Sequence, residues 1–193
     1  MRKVMALAIV AGFLLAGPAQ AQEKEKAEKP KPYRFTAFAI NMGSGPKAGM
    51  VDIVIERLTT DAEREELIAA FIEGGQNMLL KALQKVKPRV GYIRTPNSLG
   101  YDLQYAYRFV NSDGTSRVII GTDRPINFWE ARNRPRTMDY PFTIIEMRLD
   151  TQGNGEGRMA AGTKISKSKD GKTIELENYG ISPVALNEIK LQK

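Results

Sequence analysis

The residues with the greatest capacity for chemistry lie between positions 123 and 142, DRPINFWEARNRPRTMDYPF, a stretch that holds the chain's only tryptophan, Trp129. Around it stand four arginines, Arg124, Arg132, Arg134 and Arg136, together with Glu130 and Tyr140. A guanidinium presents its donors as a planar fork that matches a carboxylate, phosphate or sulfate, so the grouping predicts an anion-binding surface. A competing reading is internal, with arginine stacked on Trp129 and ion pairs to Asp123, Glu130 and Asp139, each worth about 1 kcal/mol at a surface.

Catalysis is restricted by what is missing. The chain has no histidine and no cysteine, which excludes Ser-His-Asp and Cys-His nucleophile pairs and the usual His- or Cys-ligated zinc and copper sites. Paired carboxylates, a tyrosine or lysine base for sugar elimination, and a Ser-Lys pair remain. Glu130 and Asp139 beside Arg132 and Tyr140 have suitable types, but nothing in their spacing fixes their separation. Glu146, Glu156, Glu175 and Glu177 alternate along strands and read as solvated faces. No catalytic residue, metal ligand or cofactor is assigned.

Stretch 123–142 must be held by the elements around it. It joins two strand patterns and is longer than most connections in compact domains, and such loops are usually functional or disordered. Ile126, Phe128, Trp129, Tyr140 and Phe142 carry more apolar surface than a disordered segment leaves in water, which predicts an ordered loop.

Period-two alternation marks strands over 33–41, 50–58, 90–94, 101–110, 116–122, 142–149, 156–165, 172–177 and 184–191. Asp-Gly and Asn-Gly in NSDG, TQGNG and SKDG favour tight turns, so successive strands are read as antiparallel neighbours. MGSGPKAG, between the first two strands, lacks phosphate-loop spacing and runs into no helix, so it reads as a hairpin connection. Strand 101–110 sets Tyr101, Leu103, Tyr105, Tyr107 and Phe109 on one side, either as core packing or as a face lining a wet cavity or sugar groove.

Helical signal is confined to residues 60–88. Thr60 and Glu63 have capping-box spacing, and Asp61, Glu65 and Glu66 suit the positive end of the helix dipole. Leu67, Ile68, Phe71 and Ile72 make an apolar stripe that Gly74-Gly75 interrupts, and Leu79, Leu80, Leu83 and Val86 continue it to the stop at Pro88. A helical hairpin with a core-facing stripe is expected. The fold class is therefore α+β, mainly antiparallel β, a curled or barrel-like sheet of about eight or nine strands with one helical hairpin.

Arg2 and Lys3, the apolar run from Val4 to Ala16 and the Ala19-Gln20-Ala21 site read as a cleavable signal peptide over 1–21, with no cysteine for lipid attachment. Residues 22–32, QEKEKAEKPKP, read as a charged, disordered linker, and 33–193 as a single β-rich domain. Loss of the leader takes the formal charge from +7 to about +5. The expected protein is secreted or periplasmic, holds no disulfide, and has no transmembrane segment after cleavage.

TDAERE before the helix, GYDLQYAYRF, TDRPINFWEARNRPR with MDYPFTIIEMRL, and IELENYGISPVAL together resemble a group of small secreted bacterial proteins. The resemblance spans most of the mature chain and implies export and one domain, with no activity or site residue to transfer. Lipocalins offer a fold-level analogy as exported barrels of this size, although their Gly-x-Trp signature is absent. The sequence thus predicts an exported, non-catalytic domain that binds an anionic or amphipathic envelope component through 123–142 and the adjoining sheet face, without a nucleic-acid role. The alternatives are a carbohydrate-active enzyme using carboxylates or tyrosine, and a module that binds another envelope protein.

Overall fold

Among the described residues, alternating apolar positions build ten strands, and every pairing between them is antiparallel. The computed structural model describes residues 31–41, 47–96, 98–126, 139–167, 174–178 and 183–192. The leader, residues 22–30 of the linker, the glycine-rich residues 42–46 and the centre of the arginine-bearing stretch, 127–138, lie outside the described residues.

In chain order the elements are β1 (Tyr33–Asn41), β2 (Lys47–Ile55), α1 (Asp61–Leu83), β3 (Gly91–Arg94), β4 (Tyr101–Leu103), β5 (Tyr105–Val110), β6 (Ser116–Gly121), β7 (Phe142–Leu149), β8 (Gly155–Lys167), β9 (Ile174–Asn178) and β10 (Val184–Gln192). Their order in the sheet is β4-β3-β2-β1-β10-β8-β7-β6-β5, with β9 attached to β8 off this path. Strand β8 serves two partners on one side: Gly155–Met159 pair with β10, and Thr163–Lys167 pair with β9.

The sheet curls until its ends nearly meet, because the end strands β4 and β5 are consecutive in the chain and separated only by Gln104. At this junction the Val90 amide donates to the Leu103 carbonyl at 3.0 Å, and the Gln104 amide donates to the Gly121 carbonyl at 3.0 Å. Residues 101–110, expected as one strand with one face, therefore change sides at Gln104. Leu103 is buried in the barrel interior and Tyr101 packs against it. Tyr105 joins the outer cluster beneath α1, while Ala106 takes the inward position. Barrel closure, a long-range demand, overrides the local period.

Inward residues such as Ile53, Ile93, Leu103, Ile120, Ile145, Met147 and Leu186 are fully buried and fill the interior. Each such side chain contributes about 1.5–3 kcal/mol relative to exposure. The barrel interior is thus a packed core, and room for a guest lies elsewhere.

Helix α1 begins as the sequence predicts. Thr60 is the N-cap: the Glu63 amide donates to its Oγ1 at 3.2 Å, and its own amide donates to Glu63 Oε2 at 2.9 Å. The interruption expected at Gly74-Gly75 is also present, and α1 is two helical stretches joined across a kink there. Gly74 (φ −133°) and Gly75 (φ 62°, ψ −151°) are non-helical, and Gln76 resumes the helix on the far side. Gly75 lies in a region that glycine alone occupies readily, and no atom stands within 4 Å of where a Cβ would be, so conformation rather than crowding requires it there. With one kinked helix against ten strands, the α part of the expected class reduces to α1.

Two side chains fasten this break to the sheet. Lys167 Nζ donates to the Ile72 carbonyl at 2.7 Å, at a turn whose carbonyls have lost their helical partners. Gln76 accepts from the Ile165 amide at 3.3 Å through Oε1 and donates to the Asp139 carbonyl at 3.2 Å through Nε2.

Candidate functional site

The α1 stripe does not bury itself evenly. Leu67 and Phe71 are buried, whereas Ile68 and Ile72 are 41% and 61% exposed. On the sheet side Leu176 is 56% exposed. The expectation of a wholly core-facing stripe is corrected accordingly: one edge of it packs, and the other forms the lip of a cleft between α1 and the outer face of β5–β9.

This cleft has a volume of about 510 Å³. Its helix wall is Leu67, Ile68, Phe71, Ile72, Leu79 and Leu83, and its sheet wall includes Tyr105, Ile119, Phe142, Ile144, Ile165 and Leu176. Alternation on β6 and β7 explains the sheet wall, because Ile120 and Ile145 point into the barrel while Ile119 and Ile144 point out. The space is of the size and character of small-molecule sites, concave and mostly apolar with few polar groups.

Those polar groups are cationic. Arg64, on the first turn of α1, and Lys167, at the end of β8, both line the cleft. Among the described residues neither is paired with a carboxylate. Arg64 stands 5.3 Å from the centre of the Tyr107 ring, and Lys167 stands 5.9 Å from that of Phe71. The Tyr107 hydroxyl donates to Asp61 at 2.9 Å, and that bond pushes its pKa up. Burial pushes the Tyr105 hydroxyl up too, against the opposing pull of the Arg64 guanidinium. Both phenols therefore stay neutral at physiological pH, leaving Arg64 and Lys167 to set the charge of the cleft.

Of the sequence-predicted residues, Trp129, Glu130, Arg132, Arg134 and Arg136 lie outside the described residues. Arg124 and Tyr140 are placed. The Arg124 fork is taken by its neighbour, with Nε 3.2 Å from Asp123 Oδ1 and Nη2 3.4 Å from Oδ2, and this pairing raises its pKa. Tyr140 donates its hydroxyl to Glu177 at 2.7 Å, and Lys164 Nζ lies 3.6 Å from the other oxygen of that carboxylate. Glu156, Glu175 and Glu177 are exposed, and Glu146 is half-buried between Arg117 and Arg148.

The described ends of stretch 123–142 are nonetheless close to the cleft. The stretch leaves from β6 and returns on β7, where Gly121 pairs with Ile144, and Gly121, Thr122, Phe142 and Ile144 all line the space. Two buried threonines anchor its ends: the Thr143 amide donates to Thr122 Oγ1 at 3.0 Å, and the Ile126 amide donates to Thr143 Oγ1 at 2.8 Å. Arg64, Ile119, Ile165 and Lys167, which line the cleft, were not among the residues that sequence reasoning singled out as a site. The signal that was present was the excess width of the α1 stripe, too broad to be satisfied by one contact.

Among the described residues no helix is long and apolar enough to cross a membrane, and no group of three or more acidic side chains is placed to hold a metal ion. No protein family, curated protein or solved structure matches the chain, so the functional reading rests on the cleft itself.

Proposed function

We propose that the protein is a non-catalytic binding protein for an anionic amphiphile of the cell envelope, one that carries a single alkyl chain. The chain lies between Ile68 and Ile72 of α1 and Ile119, Ile144 and Leu176 of the sheet, and the acidic head meets Arg64. One observation carries this reading: a cleft of about 510 Å³, apolar on both walls, has two cations on its lining with no carboxylate partner among the described residues. Burial of alkyl carbons supplies about 0.8 kcal/mol for each methylene, and a guanidinium adds a charge-assisted bond that selects the acid. The envelope setting follows from the signal peptide expected at 1–21.

Titration calorimetry with dodecanoate, dodecanol and dodecyltrimethylammonium tests the reading. The acid is expected to bind most tightly, the alcohol more weakly and the cation least. Ile119→Asp, which sets a carboxylate in the sheet wall, is expected to abolish binding while the fold survives. Equal affinity for the three compounds, or undiminished affinity in Ile119→Asp, overturns it.

A further inference from the structure

An acidic head on Arg64 engages one of the cleft's two cations and leaves Lys167 without a counter-charge. The two cations stand at opposite ends of one apolar run. Arg64 opens the helix stripe, and Leu67, Ile68, Phe71 and Ile72 follow it at the three- and four-residue spacings that share one helix face. Lys167 meets the far end of that stripe, where its Nζ donates to the Ile72 carbonyl at 2.7 Å and stands 5.9 Å from the centre of the Phe71 ring. Between Arg64 and Ile72 the helix advances about 12 Å at roughly 1.5 Å per residue. Over that span Ile119, Ile144, Ile165 and Leu176 supply the opposite wall. Read along its length, the cleft is cation, hydrocarbon, cation.

The bond to Ile72 does not saturate Lys167. An ammonium carries three donors, and a neutral carbonyl takes one of them while cancelling none of the charge. Among the described residues no carboxylate pairs with Lys167. The residue is exposed, so water serves its remaining donors while the cleft is empty. An alkyl chain that runs the length of the stripe from Arg64 brings its far end up to this ammonium. A methyl there displaces water and offers nothing in return, which is unfavourable to the charge. An acid there replaces the water with a charge-assisted hydrogen bond.

We infer that the ligand of the cleft is acidic at both ends: two carboxylates joined by one alkyl chain, the first on Arg64 and the second on the free donors of Lys167. This rests on the reading of the cleft as a site for an anionic amphiphile and narrows it to dicarboxylates. The two ends are not equivalent. Arg64 offers a planar fork beside the Tyr107 ring, whereas Lys167 offers a point charge at the helix break, shared with the Ile72 carbonyl. Lys167 therefore has two tasks, holding the break in α1 and marking the far limit of the chain.

Titration calorimetry on the full mature chain compares three probes built on one skeleton: dodecanoate, dodecanedioate and the monomethyl ester of dodecanedioate, which keeps the length and removes one charge. The wild type is expected to bind the diacid roughly fivefold to tenfold more tightly than the ester, the modest factor reflecting an exposed ammonium. Lys167→Met is expected to level the two, and Lys167→Arg, which keeps the charge and the donors, to preserve the difference. A purely structural part for Lys167, as a tie on the helix break, weakens both ligands together and leaves their ratio unchanged. Binding of dodecanoate with no preference for the diacid over the ester overturns this inference and leaves the amphiphile reading standing. A preference that survives Lys167→Met overturns it as well, and failure of all three probes to bind overturns both.

Discussion

Thr59 and Ala106 are bonded to each other twice: the Thr59 amide donates to the Ala106 carbonyl at 2.8 Å, and the Ala106 amide donates to Thr59 Oγ1 at 3.0 Å. Thr59 belongs to no strand, yet its side chain completes the ladder that β5 lacks on its free edge. The pair pins the barrel seam at one height. Thr59→Val keeps the shape and removes the acceptor, leaving a buried amide unsatisfied. It is expected to cost about 1–3 kcal/mol in denaturant unfolding, while Thr59→Ser, which restores the oxygen, recovers most of the loss.

Glu63 links the helix cap to the segment before it. Its Oε2 accepts from Arg57 Nη1 at 2.8 Å and from the Thr60 amide at 2.9 Å, and these contacts, Arg57 first, hold its carboxyl below the usual range against an opposing desolvation. A carboxyl depressed in the folded state stabilises above its unfolded pKa, and that contribution disappears as pH falls through the folded value. Glu63→Gln is therefore expected to be less stable than wild type by about 0.5–1 kcal/mol at neutral pH, since the pair is partly exposed. The gap between the two proteins should close on acidification below the carboxylate range, as followed by urea midpoints.

The break in α1 makes a different demand on its two glycines. Gly75→Ala forces an L-residue into a positive-φ conformation and is expected to cost about 1–3 kcal/mol. At Gly74, φ is negative, but an added Cβ would collide with Met78 Cγ and stand 2.9 Å from Met78 Cβ, which is fixed to the helix backbone, so crowding rather than conformation requires glycine there. Gly74→Ala is expected to be destabilising as well, through that clash rather than through φ, when both are measured by thermal melting.

Much of this architecture is legible from the residues alone. Alternation gives nearly all the strands within a few residues, and Thr60 with Glu63 gives the helix start, because these signals are local. Gln104 could not be read as a side-change, since what moves Tyr105 outward is the closure of β5 against β6, far along the chain. The cleft was hidden for the same reason. Arg64, Ile119, Ile165 and Lys167 come from three elements, α1, β6 and β8, and meet only after the sheet has curled, whereas the Trp129 cluster stood out because its residues are contiguous.

On the proposed function, charge selection in the cleft falls to Arg64 rather than Lys167, whose ammonium is already engaged by the Ile72 carbonyl. Arg64→Ala is expected to weaken dodecanoate binding by roughly tenfold or more and to leave dodecanol nearly unchanged, the loss corresponding to one charge-assisted bond. Lys167→Ala is expected to lower the melting temperature as well, by freeing the helix break. Calorimetry and melting on the same samples separate the two roles.

Because residues 101–110 serve both borders of the sheet, the peptide on either side of Gln104 acts as a hoop joining the two halves of the molecule. New termini placed at that position, with the old ones linked, would keep every strand and every neighbour. They would cut the hoop and leave the Thr59–Ala106 clasp to hold the seam, so that such a permutant should be less stable and admit water more readily to the isoleucines and methionines now sealed inside.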